Sequence, residues 1–299
     1  MRFCPAGIIC LARLFVLGLL FLFFSGPTLT LAAAEAEKPE AQDPAAQPPE
    51  GQAIAPEALF ALLLVNAEKG QSQAMLNLGI LYEQGVGVSR NFTKALEWYQ
   101  KAADAGEAEG YMRLAQGYEI GLGAVADMEK AVAGYEKAAA LGNIPALNRL
   151  AEVYLNGRGA AKDENKGLDL LNKAAEAGDG IAMFDLGRIT LSGLYGRKAE
   201  ADKARVWFLK AAETGHAGGI LTIAGMYREG QGGKAEAEAA LRWYLTAQKG
   251  GLMAEGLEEA IVELKKTLPA KQAGAAEKAA DAWLAARAEA VKQQNQAAK

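Results

Sequence analysis

Apolar side chains recur along this chain at i, i+3, i+4 and i+7, the spacing of one helix face. Met75, Leu78, Gly79 and Tyr82 form the first set, and Tyr111, Leu114, Ala115 and Tyr118 repeat it. Leu147, Leu150, Ala151 and Tyr154 follow, then Met183, Leu186, Gly187 and Thr190, then Ile220, Ile223, Ala224 and Tyr227. The third position is always Gly or Ala, which predicts a second helix crossing closely at that point. A second pattern follows: Ala95, Trp98, Tyr99, Ala102 and Ala103 in the first unit, Ala204, Trp207, Phe208, Ala211 and Ala212 in the fourth. Each unit therefore reads as a hairpin of a helix A and a helix B. The two are joined at glycine pairs such as Gly85/Gly87, Gly121/Gly123, Gly157/Gly159 and Gly230/Gly232. A glycine just past a helix end takes the left-handed conformation at little cost.

Six further glycines, Gly70, Gly106, Gly142, Gly178, Gly215 and Gly251, lie 36, 36, 36, 37 and 36 residues apart. A fixed period of this length marks a solenoid, in which each unit buries its apolar face against its neighbours. The fourth unit departs from the pattern, with Thr190 in the tyrosine column and an extra residue between Gly193 and Ala204. Insertions in connecting loops cost little and often mark the functional edge of a solenoid. Residues 56–69 read as a lone helix B that starts the stack. After Gly251 the pattern decays, with Glu259 and Glu263 in apolar columns. The segment to about 268 is expected to close the array, residues 57–268. Pro269 breaks it, and residues 269–299 are Ala-rich, either a final helix or a tail.

The columns Ala74-x3-Leu78-Gly79-x2-Tyr82, the loop Gly85-Val86-Gly87-Val88 and the phrase Lys94-Ala95-Leu96-Glu97-Trp98-Tyr99-x-Lys101-Ala102-Ala103 strongly resemble the Sel1-like repeat family. That family is related to the tetratricopeptide repeat, with two residues added in the A–B loop. The resemblance covers about residues 57–251. It implies an all-α fold, a right-handed α-solenoid of helical hairpins, and a role as an adaptor of the bacterial envelope. A few cysteine-rich members of the family are β-lactamase-like or penicillin-binding. This chain lacks their paired cysteines.

The ends change the picture of where the chain works. Arg2 and Arg13 precede an apolar run from Leu14 to Phe24, then Ser25-Gly26-Pro27 and Ala32-Ala33-Ala34. This is the layout of a signal peptide, residues 1–34, cleaved near Ala34. The alternative, a retained anchor, is opposed by the shortness of the apolar run. Cys10 lacks the small residue expected before a lipidated cysteine. Cleavage would remove Cys4 and Cys10, leaving no disulfide or thiolate site, and would take the net charge from −4 to −6 by loss of two arginines. An acidic export product is a poor fit for nucleic acid, whose binding rests on phosphate neutralisation. The expected location is periplasmic or secreted, with no stable membrane insertion after cleavage. Residues 35–56 carry five of the nine prolines and read as an extended linker.

No catalytic set stands out. His216 is the chain's one histidine and reads as a solvated residue at a helix start. Asp163-x-Asn165-x-Gly167 departs from a calcium loop at the glycine and at Ala174. Gly232-Gly233-Lys234-Ala235 lacks the first glycine and the hydroxyl of a phosphate loop. Neither a cofactor nor a metal is expected. What remains is surface, by analogy the helix-A face that related arrays use for ligands. Counted six, ten and thirteen residues after each repeat glycine, three columns run along that face. From them, Leu76, Ile80, Glu83, Met112, Gln116, Glu119, Glu152, Phe184, Arg188 and Arg228 are candidate partner-binding residues. The apolar ones could instead pack against the next helix A. The charge mixture suits a helix or extended peptide of a protein partner in a concave groove. Tyr195, in the irregular fourth loop, marks a competing surface. The alternative function is an envelope hydrolase or a glycan-binding, peptidoglycan-associated protein. The identity of the partner and the oligomeric state are not legible.

Overall fold

The computed structural model describes residues 54–297. The expected signal peptide and the linker as far as residue 53 lie outside them. The described residues form thirteen helices and no strand. Helix α1 (Pro56–Glu68) leads into five hairpins: α2 (Ser72–Gln84) with α3 (Phe92–Asp104), α4 (Ala108–Ile120) with α5 (Met128–Ala140), α6 (Ile144–Asn156) with α7 (Glu164–Glu176), α8 (Gly180–Ser192) with α9 (Ala201–Glu213), and α10 (Ala217–Glu229) with α11 (Ala237–Lys249). Helices α12 (Leu257–Thr267) and α13 (Ala270–Ala297) complete the chain. Each helix packs on the next, and the pairs within a hairpin pack most extensively. This is the nearest-neighbour architecture of a helical solenoid.

Local chemistry sets the helix ends. The first three hairpins start helix B with Asn91, Asp127 and Asp163, whose side chains accept the amides of Lys94, Lys130 and Lys166. Such caps satisfy amides that the helix itself leaves unpaired. Every helix A ends on a left-handed glycine: Gly85, Gly121, Gly157, Gly193 and Gly230. The second glycine of each pair has a different reason to be there. A Cβ at Gly123 would stand 2.5 Å from the Phe92 carbonyl oxygen, and one at Gly159 would stand 2.9 Å from the Met128 Cβ. Gly87 and Gly232 abut the carbonyls of Pro56 and Ala201 in the same way. The loop of one unit thus rests on the start of the preceding helix B, at a distance that excludes a side chain.

The small third column of helix A has two explanations. In units one and four an aromatic ring lies over it: Tyr99 over Gly79 and Phe208 over Gly187, where a Cβ would meet the ring. In unit two Ala115 faces Gly134 of α5, so two small residues let the helices approach. The aromatic columns of helix B supply the largest buried side chains, Tyr135, Phe208 and Trp243.

The C-terminal segment, helix or tail by sequence, is a helix of 28 residues. It runs beside α11 in the same direction. Gln272 and Ala276 lie near Glu236 at the start of α11, while Lys249 at its end pairs with Asp281 at 2.5 Å. Trp283 packs on Trp243 with ring centres 5.9 Å apart, and Ala276 and Ala280 are buried beneath it. Helix α13 therefore packs on α11 far more than on α12, and caps the stack there.

Candidate functional site

The candidate residues separate into buried, tethered and open groups. Leu76 and Met112 are each 5% exposed and belong to the core. As groove anchors they are corrected: their column points between neighbouring helices in the first two units, so they pack rather than present. Ile80 is half-buried against the cluster around Tyr82 and Tyr99. Phe184 is half-buried too, edge-on to Phe208 at 5.4 Å and tilted over the His216 ring at 4.7 Å. His216 is not merely solvated, since its Nδ1 accepts the Gly219 amide at 3.1 Å and caps α10. Burial pushes its pKa below the ordinary 6.5, against the opposing pull of Asp185 and Asp179.

Glu83, Gln116 and Glu119 come together in a first cleft of about 360 Å³ between units one and two. Phe92, Leu96, Ile120 and Leu122 give it an apolar wall, and Arg113 and Arg149 line it as well. Each glutamate is anchored by a tyrosine of its own unit. Tyr99 donates to Glu83, and Tyr135 donates to Glu119 at 2.5 Å. Burial first, and the neighbouring carboxylate second, push both phenol pKa values up. The phenols are therefore fixed as donors. Arg113 holds Glu109 at 2.8 Å and Arg149 holds Glu152 at 3.0 Å, and each guanidinium is thereby committed.

Glu152 and Arg188 meet in a second, smaller cleft of about 180 Å³ with Asp185, Leu194 and Tyr195. Arg188 pairs with Asp185 at 3.3 Å, while burial raises the Asp185 carboxyl above its usual range. Tyr195 occupies the second-glycine position of the fourth loop with φ +56°, the one non-glycine residue at positive φ among the described residues. A left-handed tyrosine is rare enough to mark a site under constraint. Helix-A residues and the irregular loop thus line one cleft. Arg228 stands apart, exposed beside Glu229 and 5.8 Å from the Tyr244 ring centre.

Sequence reading missed Arg113, Arg149 and Asp185, which share a column seven residues after the repeat glycine. It also missed the tyrosine donors. A signal for these was present: Glu83/Tyr99 and Glu119/Tyr135 repeat at a spacing of 16, and unit three replaces both members, with Leu155 and Leu171.

No helix of the described residues is long and apolar enough to cross a membrane. Among the same residues no group of three His, Cys, Asp or Glu could hold a metal ion.

Comparison with known proteins agrees with this geometry. A Sel1 repeat protein from Oxalobacter formigenes is 30% identical and superimposes with a TM-score of 0.58, over 77% of this chain and 90% of that one. A protective antigen of uropathogenic Escherichia coli displaying an SLR fold is also 30% identical, with a TM-score of 0.55 over 76% of this chain. The match spans 50% of that antigen's length. Among curated proteins none matches. The Sel1 repeat model fits residues 72–107, 108–143, 144–179, 180–216 and 223–251, five consecutive units that coincide with the hairpins described above. The chain belongs to the Sel1 repeat family.

Proposed function

We propose that this chain is an exported, non-enzymatic adaptor that holds a segment of another envelope protein along its helix-A face. Sel1 repeats serve protein–protein interaction, and the reading adds a location and a surface to that role. One observation carries it: charged residues of equivalent helix-A columns line both clefts in successive units. Such spacing suits an extended chain, whose side chains enter one cleft after another. The signal-peptide layout read in the sequence of residues 1–34 supports the location. The capping role of His216, whose Nδ1 is engaged by the Gly219 amide, supports a scaffold rather than a catalyst.

The test is affinity capture from periplasmic extract with residues 35–299 as bait, comparing the wild type with a Glu152→Lys/Arg188→Glu pair. Both side chains are exposed, so the melting temperature is expected to stay within about 2 °C. A specific partner is expected on the wild type and depleted about ten-fold on the variant, as loss of complementary charge in an interface costs affinity. Undiminished capture by a folded variant moves the binding surface elsewhere.

A further inference from the structure

We propose that the first cleft is a subsite for a basic side chain, an arginine presented by the partner's extended segment. This rests on the reading of the helix-A face as the binding surface, and adds the chemistry of what enters it. The volume, about 360 Å³, accommodates one long side chain. Its wall of Leu96, Ile120 and Leu122 offers an apolar track, and Ile120 is 67% exposed at the rim with no other evident packing use. An arginine stem covers such a track while its head remains polar.

Charge decides the sign of the occupant. Around the cleft, four carboxylates, Glu83, Glu109, Glu119 and Glu152, meet three guanidiniums, Arg113, Arg149 and Arg158. The short pairs are made to Glu109 and Glu152, at 2.8 and 3.0 Å. Glu83 and Glu119 have guanidiniums only at 3.7 Å, and each has a tyrosine hydroxyl as its one close donor. Glu119 is the more enclosed, its side chain 15% exposed. A carboxylate so placed has acceptor capacity left over, and a guanidinium supplies paired donors in matching geometry. An anionic or purely apolar side chain would take water from that carboxylate and add no donor beyond the tyrosine hydroxyl.

The probe is the blocked tripeptide acetyl-Ala-Arg-Ala-amide, titrated against the folded chain (residues 35–299) while the methyl resonances of Leu96, Ile120 and Leu122 are followed. A peptide with citrulline in place of arginine keeps the length and loses the charge. Saturable methyl shifts are expected with the arginine peptide, with affinity at least about ten-fold above that of the citrulline peptide. Glu119→Gln keeps an acceptor for Tyr135 and is expected to erase the preference; Glu83→Gln is the second variant should the first lower the melting temperature. Equal binding of both peptides, absence of saturable shifts, or a preference that survives both substitutions overturns the proposal. The capture experiment reads partner binding by the whole array, whereas this titration reads an arginine preference at Glu119 and Glu83, so a failure there and a failure here are separately visible.

Discussion

In units one and two a helix-A glutamate receives the hydroxyl of a helix-B tyrosine, Glu83 with Tyr99 and Glu119 with Tyr135. In unit three the same two columns hold Leu155 and Leu171, both buried. The two solutions fill the same space between helices. The leucine pair gives the second cleft an apolar floor, while the tyrosine–glutamate pair keeps a carboxylate at the mouth of the first. Tyr135 is 0% exposed, so its hydroxyl needs an acceptor, and the glutamate is held in place by that need. A surface charge in units one and two is therefore rooted in the core. In unit three core and surface are uncoupled.

The largest break in this comparison is Leu171→Ala. It removes a side chain 3% exposed from the core, and should cost about 3 kcal/mol in denaturant unfolding. Tyr135→Phe should cost less, about 1 kcal/mol, because it deletes one hydrogen bond and leaves the ring packed. A double-mutant cycle with Glu119→Gln then measures how much of that loss belongs to the pair. Coupling below about 0.3 kcal/mol would show that the two columns are as independent in unit two as in unit three. Tyr99→Phe should cost less than Tyr135→Phe, since Glu83 is the more exposed acceptor, 33% against 15% for Glu119, and Tyr99 lies nearer the end of the stack.

The smallest expected effect is a pH dependence on the same face, at His216. Its folded pKa is lowered by burial, so the unfolded chain takes up the proton first. The cap is at full strength above the ordinary 6.5 and is lost as the pH falls below it towards the folded value. His216→Asn keeps a capping acceptor without the titration. Melting temperatures from about pH 7.5 to about pH 5.5 should therefore fall more steeply in the wild type than in the variant. Parallel curves would show that the ring does not titrate through its cap.

The fold was legible because every rule agreed at once: helical periodicity, αL glycines and a period of 36 or 37 residues all fell on the same columns. The site was less so. Periodicity finds columns but not which way a column turns, and Leu76 and Met112 were placed on a surface they do not reach. Glu152 and Arg188 share a cleft, as one column of the repeat implied. The tyrosine donors went unnoticed because a buried tyrosine looks like core in sequence, and its hydroxyl's partner lies 16 residues away on another helix. Tyr195 stood out only as an aromatic in an irregular loop. That it replaces a glycine at positive φ is visible only in the backbone.

The way α13 lies on α11 has a consequence for the order in which the molecule comes apart. Helix α11 is held by α10, α12 and α13, whereas α1 packs chiefly on α2. In a chain of nearest-neighbour contacts, local opening starts where a helix has fewest neighbours. Between α1 and α11, amide hydrogens should exchange fastest in α1 and slowest in α11, in a gradient along the array. The first cleft then lies towards the end that breathes, and the second nearer the end that does not. An occupant of the first cleft should therefore leave its clearest trace as slowed exchange across α2 to α4.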